Sequence, residues 1–284
     1  MLFGPKVDVQ VELDHDTVVP GDKIGAAVRV VSSKDVDIEE GRLELVYENE
    51  YEHRSTTGTG SNRSTSTYTA TARVVEDHVR FVEASALTAG TSYDQTESLT
   101  LPDDAPPSGE GKITKVRWKV VATLARHHAR DIHGEARLTV LSPAGGEVDA
   151  PETETRGDCE FAFRLDRTSF GPGDTVNGVL VANPLQACEM NEVRVELVRH
   201  EDVPRDDGNQ EDVTETDVTL DGGVSLSLGA PREWPFQLRL PETVVPCLET
   251  PQSSVTWLLK GIGSRRMRPD YRVTQPVDVH TAQS

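Results

Sequence analysis

Cysteine, aromatic residues and positive charge are all scarce in this chain. Its three cysteines, Cys159, Cys188 and Cys247, are odd in number, far apart and without CxxC spacing. That pattern argues against a disulfide framework or a structural zinc site and favours a reducing compartment. Aromatics make up 5% and apolar residues 36% of the 284 positions, which is thin for one thick core and better suited to two-layered sheets. Lysine and arginine number 29 against 48 acidic residues, a net charge of −19. Such a surface repels phosphate backbones and anionic lipid as a whole, so nucleic acid is not an expected partner. No run approaches the roughly 18 apolar residues of a membrane helix. The opening residues alternate from Val7 and show no signal-peptide hydrophobic run. The expectation is a soluble cytoplasmic protein without integral membrane association. The sequence also lacks a G-x-S-x-G elbow, a P-loop, an H-E-x-x-H pair and a G-x-G-x-x-G turn opening a helix. No enzyme, catalytic residue or cofactor is therefore expected.

What the chain does have is an internal repeat. Val11-Glu-Leu-Asp14 followed by Val19-Pro-Gly-Asp22 returns as Phe163-Arg-Leu-Asp166 followed by Gly171-Pro-Gly-Asp174, a shift of 152 that also carries Leu43-Glu-Leu-Val46 onto Val195-Glu-Leu-Val198. Further on, Leu87, Gly90, Leu101, Pro102, Pro107, Trp118, Asp131 and Val140 match Leu226, Gly229, Leu240, Pro241, Pro246, Trp257, Asp270 and Val279 at a constant shift of 139. The first copy carries the 13-residue surplus between Val46 and Leu87. The domain assignment is a sandwich over 1–143, an acidic linker over 144–158 and a second sandwich over 159–284.

Alternation at period two marks Val7 to Leu13, Ile24 to Val30 and Phe236 to Leu240 as strands. Val116-Trp118-Val120 and Val255-Trp257-Leu259 place one tryptophan on the buried face of each copy. Pro-Gly-Asp supplies a tight turn, with proline fixing φ and glycine free to take φ > 0. Val75, Val79, Val82 and Ala86 have helical spacing, but β-branching and flanking strands favour strand. The fold expected is all-β: two tandem Greek-key, immunoglobulin-like sandwiches.

These features resemble the arrestin fold. The carrying residues are Val19 to Gly25 with Leu43 to Tyr47, and Leu99-Thr-Leu-Pro-Asp-Asp-Ala-Pro-Pro-Ser108 running into Val116-Arg-Trp118. The second copy repeats them as Gly171 to Gly178, Trp234 to Pro241 and Ser254 to Lys260. Within that superfamily the chain is most similar to bacterial sporulation-control proteins. The resemblance implies a non-enzymatic scaffold or adaptor whose partners are other proteins. After Val279 only His280 to Ser284 follow, so no autoinhibitory tail like that of visual arrestins is expected.

Three segments are candidates for contact or chemistry. Arg54 to Ala70 is rich in hydroxyls and holds the surplus residues; its composition suits a solvated loop or a long polar hairpin. The resemblance puts it at the arrestin finger-loop position and makes Arg54, Thr56, Thr57, Arg63 and Tyr68 partner-binding candidates. His127, His128, Asp131 and His133 have the residue types of a zinc or nickel site. Arg126 and Arg130 oppose a cation there and the second copy has no histidine, so the segment reads as a polar hairpin tip with no metal. Those arginines align with Arg265, Arg266 and Arg268, giving two locally basic tips in an acidic chain. Guanidinium groups there are suited to phosphate or carboxylate, which leaves peripheral membrane contact open, and equally to pairing with nearby acids. The alternative function is a surface or secreted β-sandwich binding carbohydrate, which the low aromatic content disfavours.

Overall fold

The fold comes from a computed structural model that describes residues 7–58, 62–145, 149–150 and 158–282, together with the backbone of 152–154. Among the described residues there is no α-helix. The chain is all-β, in the arrangement of sandwiches that the repeat implies. It divides into two compact units, one of Met1–Tyr51, Thr69–Glu110 and Lys115–Leu141, the other of Glu52–Tyr68, Gly111–Thr114 and Ser142–Ser284.

The first copy contains β1 (Val7–Leu13), β2 (Thr17–Val18), β3 (Lys23–Ser32), β4 (Val36–Ile38), β5 (Glu40–Thr57), β6 (Ser64–Val82), β7 (Ser85–Leu87), β8 (Ser92–Thr100), β9 (Gly109–Glu110), β10 (Thr114–Ala125) and β11 (Ile132–Val140). One sheet has the order β1-β3-β8 and the other β2-β11-β10-β5-β6, with β9 on β10. β4 and β7 pair separately. The segment with helical spacing is strand, as its β-branched residues require. Alternation decides which side chains enter the core: Ile24, Ala26, Val28 and Val30 of β3 are buried, as are Leu43 and Leu45 of β5.

In the second copy, β12 (Glu152–Glu154), β13 (Cys159–Leu165), β14 (Ser169–Phe170), β15 (Thr175–Pro184), β16 (Cys188–Val203), β17 (Asn209–Leu226), β18 (Arg232–Arg239), β19 (Leu248–Glu249), β20 (Ser254–Ser264) and β21 (Tyr271–Val279) repeat the plan. The sheet orders are β13-β15-β18 and β12-β21-β20-β16-β17, with β14 on β21 and β19 on β20. Within the acidic connection, β12 pairs antiparallel with β21, Glu152 facing Thr274.

The turns and the tryptophans show why the repeated residues are repeated. Gly21 has φ +88° and Gly173 φ +72°, the value a type II turn demands after proline. Asp22 Oδ2 accepts from Val19 N at 2.9 Å, and Asp174 Oδ2 from Gly171 N at 2.8 Å. Trp118 Nε1 donates to Pro106 O at 2.8 Å and Trp257 Nε1 to Val245 O at 2.9 Å, both rings being fully buried. Burial of an indole is favourable only with its N–H satisfied, and each copy supplies the carbonyl from its own Pro-containing segment.

Candidate interaction surfaces

Arg54 to Ala70 forms the two arms of a long hairpin, the end of β5 and the start of β6; residues 59–61 lie outside the described residues. Gly58 has φ +92°, and a Cβ there would meet Asn62 O at 2.1 Å, so only glycine fits. Thr56 Oγ1 and Thr65 Oγ1 lie 2.7 Å apart across the arms. The base of the hairpin is tied into the second unit. Asn209 Nδ2 donates to Glu52 O at 3.0 Å, Asp207 N to Arg54 O at 3.2 Å, and His53 Nδ1 sits 2.7 Å from Asp206 Oδ2. The Tyr68 ring stacks on His53 with centroids 5.8 Å apart, yet is 50% exposed. Arg54, Thr57 and Arg63 are exposed and Thr56 half-buried. The five hairpin candidates thus share one ribbon that is held at its base and solvated at its arms.

The basic tips have a common internal bracket. Arg126 Nε donates to Arg130 O at 2.7 Å, and Arg265 Nε to Pro269 O at 2.7 Å. Asp131 Oδ1 accepts from Arg126 N at 3.3 Å and Asp270 Oδ1 from Arg265 N at 3.1 Å. His128 and Met267, at equivalent positions, have φ 54° and 57°. Arg265 is held further by Asp158 at 3.2 Å, by the Tyr271 hydroxyl at 3.0 Å and by stacking 4.0 Å over the Tyr271 ring. Burial, followed by Asp158, pushes the Tyr271 hydroxyl far up. Arg126 and Arg265 therefore spend their guanidinium groups inside the turn. Arg130, Arg266 and Arg268 remain as the exposed cations. Arg265, Arg266 and Arg268 line a cleft of about 520 Å³ that they share with Asp158 and Glu189.

The His127 and His128 rings of the first tip meet edge to face, 3.8 Å between centroids, but the tip histidines turn to separate partners. His127 Nδ1 lies 2.6 Å from Glu39 Oε1, and His133 Nδ1 lies 3.0 Å from Thr123 Oγ1. Among the described residues no three histidine, cysteine, aspartate or glutamate side chains gather as a metal site requires. Two of the three thiols are unsuited to nucleophilic work. Burial, and next Cys188, pushes Cys159 up to about 12, and burial pushes Cys247 up to about 11. Both are neutral near pH 7, and the thiolate is the reactive form.

Sequence reasoning missed a buried polar cluster in the second unit. Glu201 is fully buried; its Oε1 accepts from Lys112 N at 2.8 Å, and its Oε2 from Ile113 N at 2.8 Å and Thr114 N at 3.2 Å. Arg199 contacts Glu201 and reaches Glu215 at 2.9 Å. Thr114 Oγ1 and Ser253 Oγ, equivalent positions of the repeat, are 2.5 Å apart. The usable signal was parity: Arg199 and Glu201 fall on the inward face set by Val193, Val195 and Leu197.

The hairpin arms and the tips are exposed polar segments carried by sheets. No curated protein matches the chain. Residues 5–144, the first copy, match the family model described as Arrestin (or S-antigen), C-terminal domain, and this part of the chain is similar to that family.

Proposed function

We propose that the protein is a non-enzymatic, arrestin-like adaptor that binds partner proteins in the cytoplasm and regulates cell development, as the sporulation-control proteins it resembles do. The observation that carries this reading is the arrestin match over 5–144 on a chain that repeats the same turns and tryptophan brackets in its second half. The first contact surface is the hairpin with Arg54, Thr56, Thr57, Arg63 and Tyr68. The tip cations are further candidates, Arg130 in one unit and Arg266 and Arg268 in the other.

A pull-down from the native cytoplasm tests this, using the wild-type chain, a variant lacking residues 56–66, and Arg266→Glu/Arg268→Glu. The base contacts at 52–54 lie outside the deletion, and the deletion removes no buried side chain among the described residues. The shortened variant should stay folded and lose a defined set of proteins at both low and high salt. The tip variant should lose binding only at low salt, because rim charges act on association rate. Equal capture by all three forms rejects both surfaces.

A further inference from the structure

Among the described residues β6 ends its sheet, pairing with β5 on one side only. An unpaired strand edge is a template for another strand, and proteins guard such edges with charge, proline, bulges or brevity. Over Ser64 to Ala72 the guards of charge, proline and brevity are all missing. The nine residues STSTYTATA hold no charged residue, no proline and no glycine, in a strand 19 residues long. Ser64 to Thr69 are exposed on both faces of the ribbon. Threonine and tyrosine favour strand strongly. The equivalent edge of the second copy, β17, is guarded instead. It carries Glu211, Asp212, Glu215, Asp217 and Asp221, and β16 and β17 shift register between Val193 and Arg194 and between Leu197 and Val198.

We propose that the β6 edge pairs antiparallel with β6 of a second copy of this chain, giving a two-fold dimer through a continuous sheet. Two-fold symmetry selects this occupant, and the uncharged strip permits it. Copies of charge −19 repel, and Ser64 to Ala72 is a strip where they meet without opposing charge. A basic peptide would find no acid on this strip to bind. A two-fold contact needs a strip complementary to itself, and this one is. With the axis at Tyr68, Thr65 faces the partner's Thr71, Thr67 faces the partner's Thr69, and the tyrosines face each other. Cross-strand threonine pairs are favourable neighbours. At the ends Arg63 faces the partner's Arg73, whose charge is met by Glu44 at 2.9 Å. Pairing also turns two solvated hairpins into a four-stranded sheet, which holds together where an isolated hairpin is marginal. Nine residues span about 30 Å, short of a standard-size interface, so the dimer is concentration-dependent.

The pairing needs no partner protein, so it stands or falls apart from the adaptor reading. Purified full-length chain is followed by sedimentation equilibrium from micromolar to millimolar concentration. The mass should rise from 31.1 kDa toward twice that value, more readily as salt screens the repulsion. In the same series, amide exchange over 64–72 should slow. Thr67→Lys/Thr69→Lys should raise the dissociation constant at least tenfold with an unchanged melting curve. Thr214→Lys/Thr216→Lys on β17 should leave it unaltered. A chain that stays monomeric at millimolar concentration overturns the proposal. So does association that persists in the Thr67/Thr69 variant or leaves exchange at 64–72 unaffected.

Discussion

Positions 47, 49 and 51 of β5 correspond through the repeat to 199, 201 and 203 of β16, and all six side chains are buried. The first copy fills them with Tyr47, Asn49 and Tyr51, and Tyr47 packs 5.0 Å from the Trp118 ring. The second fills them with Arg199, Glu201 and Val203, and surrounds Glu201 with three backbone donors. Around these positions the backbone-directed contacts barely change. The aspartate cap measures 2.9 and 2.8 Å, the tryptophan bond 2.8 and 2.9 Å, and the turn bonds Gly111 N to Thr114 O and Thr250 N to Ser253 O 2.8 and 2.9 Å. Duplication has kept what the chain path demands. Interior side chains diverged wherever a compensating partner was available, since a buried charge is tolerated only when its lone pairs are met.

The comparison predicts unequal costs for equivalent truncations. Glu201→Ala leaves three buried amides unmet and Arg199 with Glu215 as its remaining carboxylate, and should lower unfolding free energy by about 3–5 kcal/mol. Asn49→Ala removes a neutral group and should cost about 1–3 kcal/mol. Equal losses in urea titrations would show that the two interiors are not different in kind. Trp118→Phe and Trp257→Phe should behave alike, each leaving a carbonyl unmet at about 1–3 kcal/mol. Their values should agree within about 0.5 kcal/mol; a wider gap would mean the brackets are not equivalent.

Two further tests need no loss of fold. At pH 8, an alkylating reagent should modify Cys159 in the native chain far more slowly than an exposed thiol of ordinary pKa, because burial both raises its pKa and blocks access. Fast labelling would mean the second copy opens readily. The smallest effect concerns Asp174, which the Gly171 amide and then Arg167 hold below the usual carboxylate range, against burial. A depressed carboxyl adds stability that is present above the unfolded pKa, near 3.9, and lost as pH falls through the folded one. The difference in urea midpoint between wild type and Asp174→Asn should therefore be constant above about pH 5 and shrink toward pH 2. A difference unchanged in acid would remove Asp174 as its source.

The repeat, the Pro-Gly-Asp turns and the two buried tryptophans were legible because local backbone geometry and period-two burial write themselves into short stretches. The hairpin was half legible: composition left loop and ribbon open, and cross-strand pairing of β5 with β6 decided for ribbon. The donors to Glu201 were not legible at all. They lie 87 to 89 residues away as backbone amides, and an amide carries no residue identity. The same holds for the arginine brackets of the tips, where the acceptor is a main-chain carbonyl. A run of arginines looks identical whether its guanidinium groups face solvent or its own turn.

The boundary between the two units is crossed by the chain five times, after residues 51, 68, 110, 114 and 141. No single scission can then release one whole unit from the other. A protease that nicks the acidic connection leaves an amino-terminal fragment still holding residues 52–68 and 111–114, which supply the carbonyls for Asn209 and Asp207 and the donors to Glu201. The nicked protein should migrate as one particle until denaturant is added, and fragments mixed after separate expression should complement each other. Interlaced membership of this kind makes the repeat, a duplication in sequence, a single object for cutting and mending.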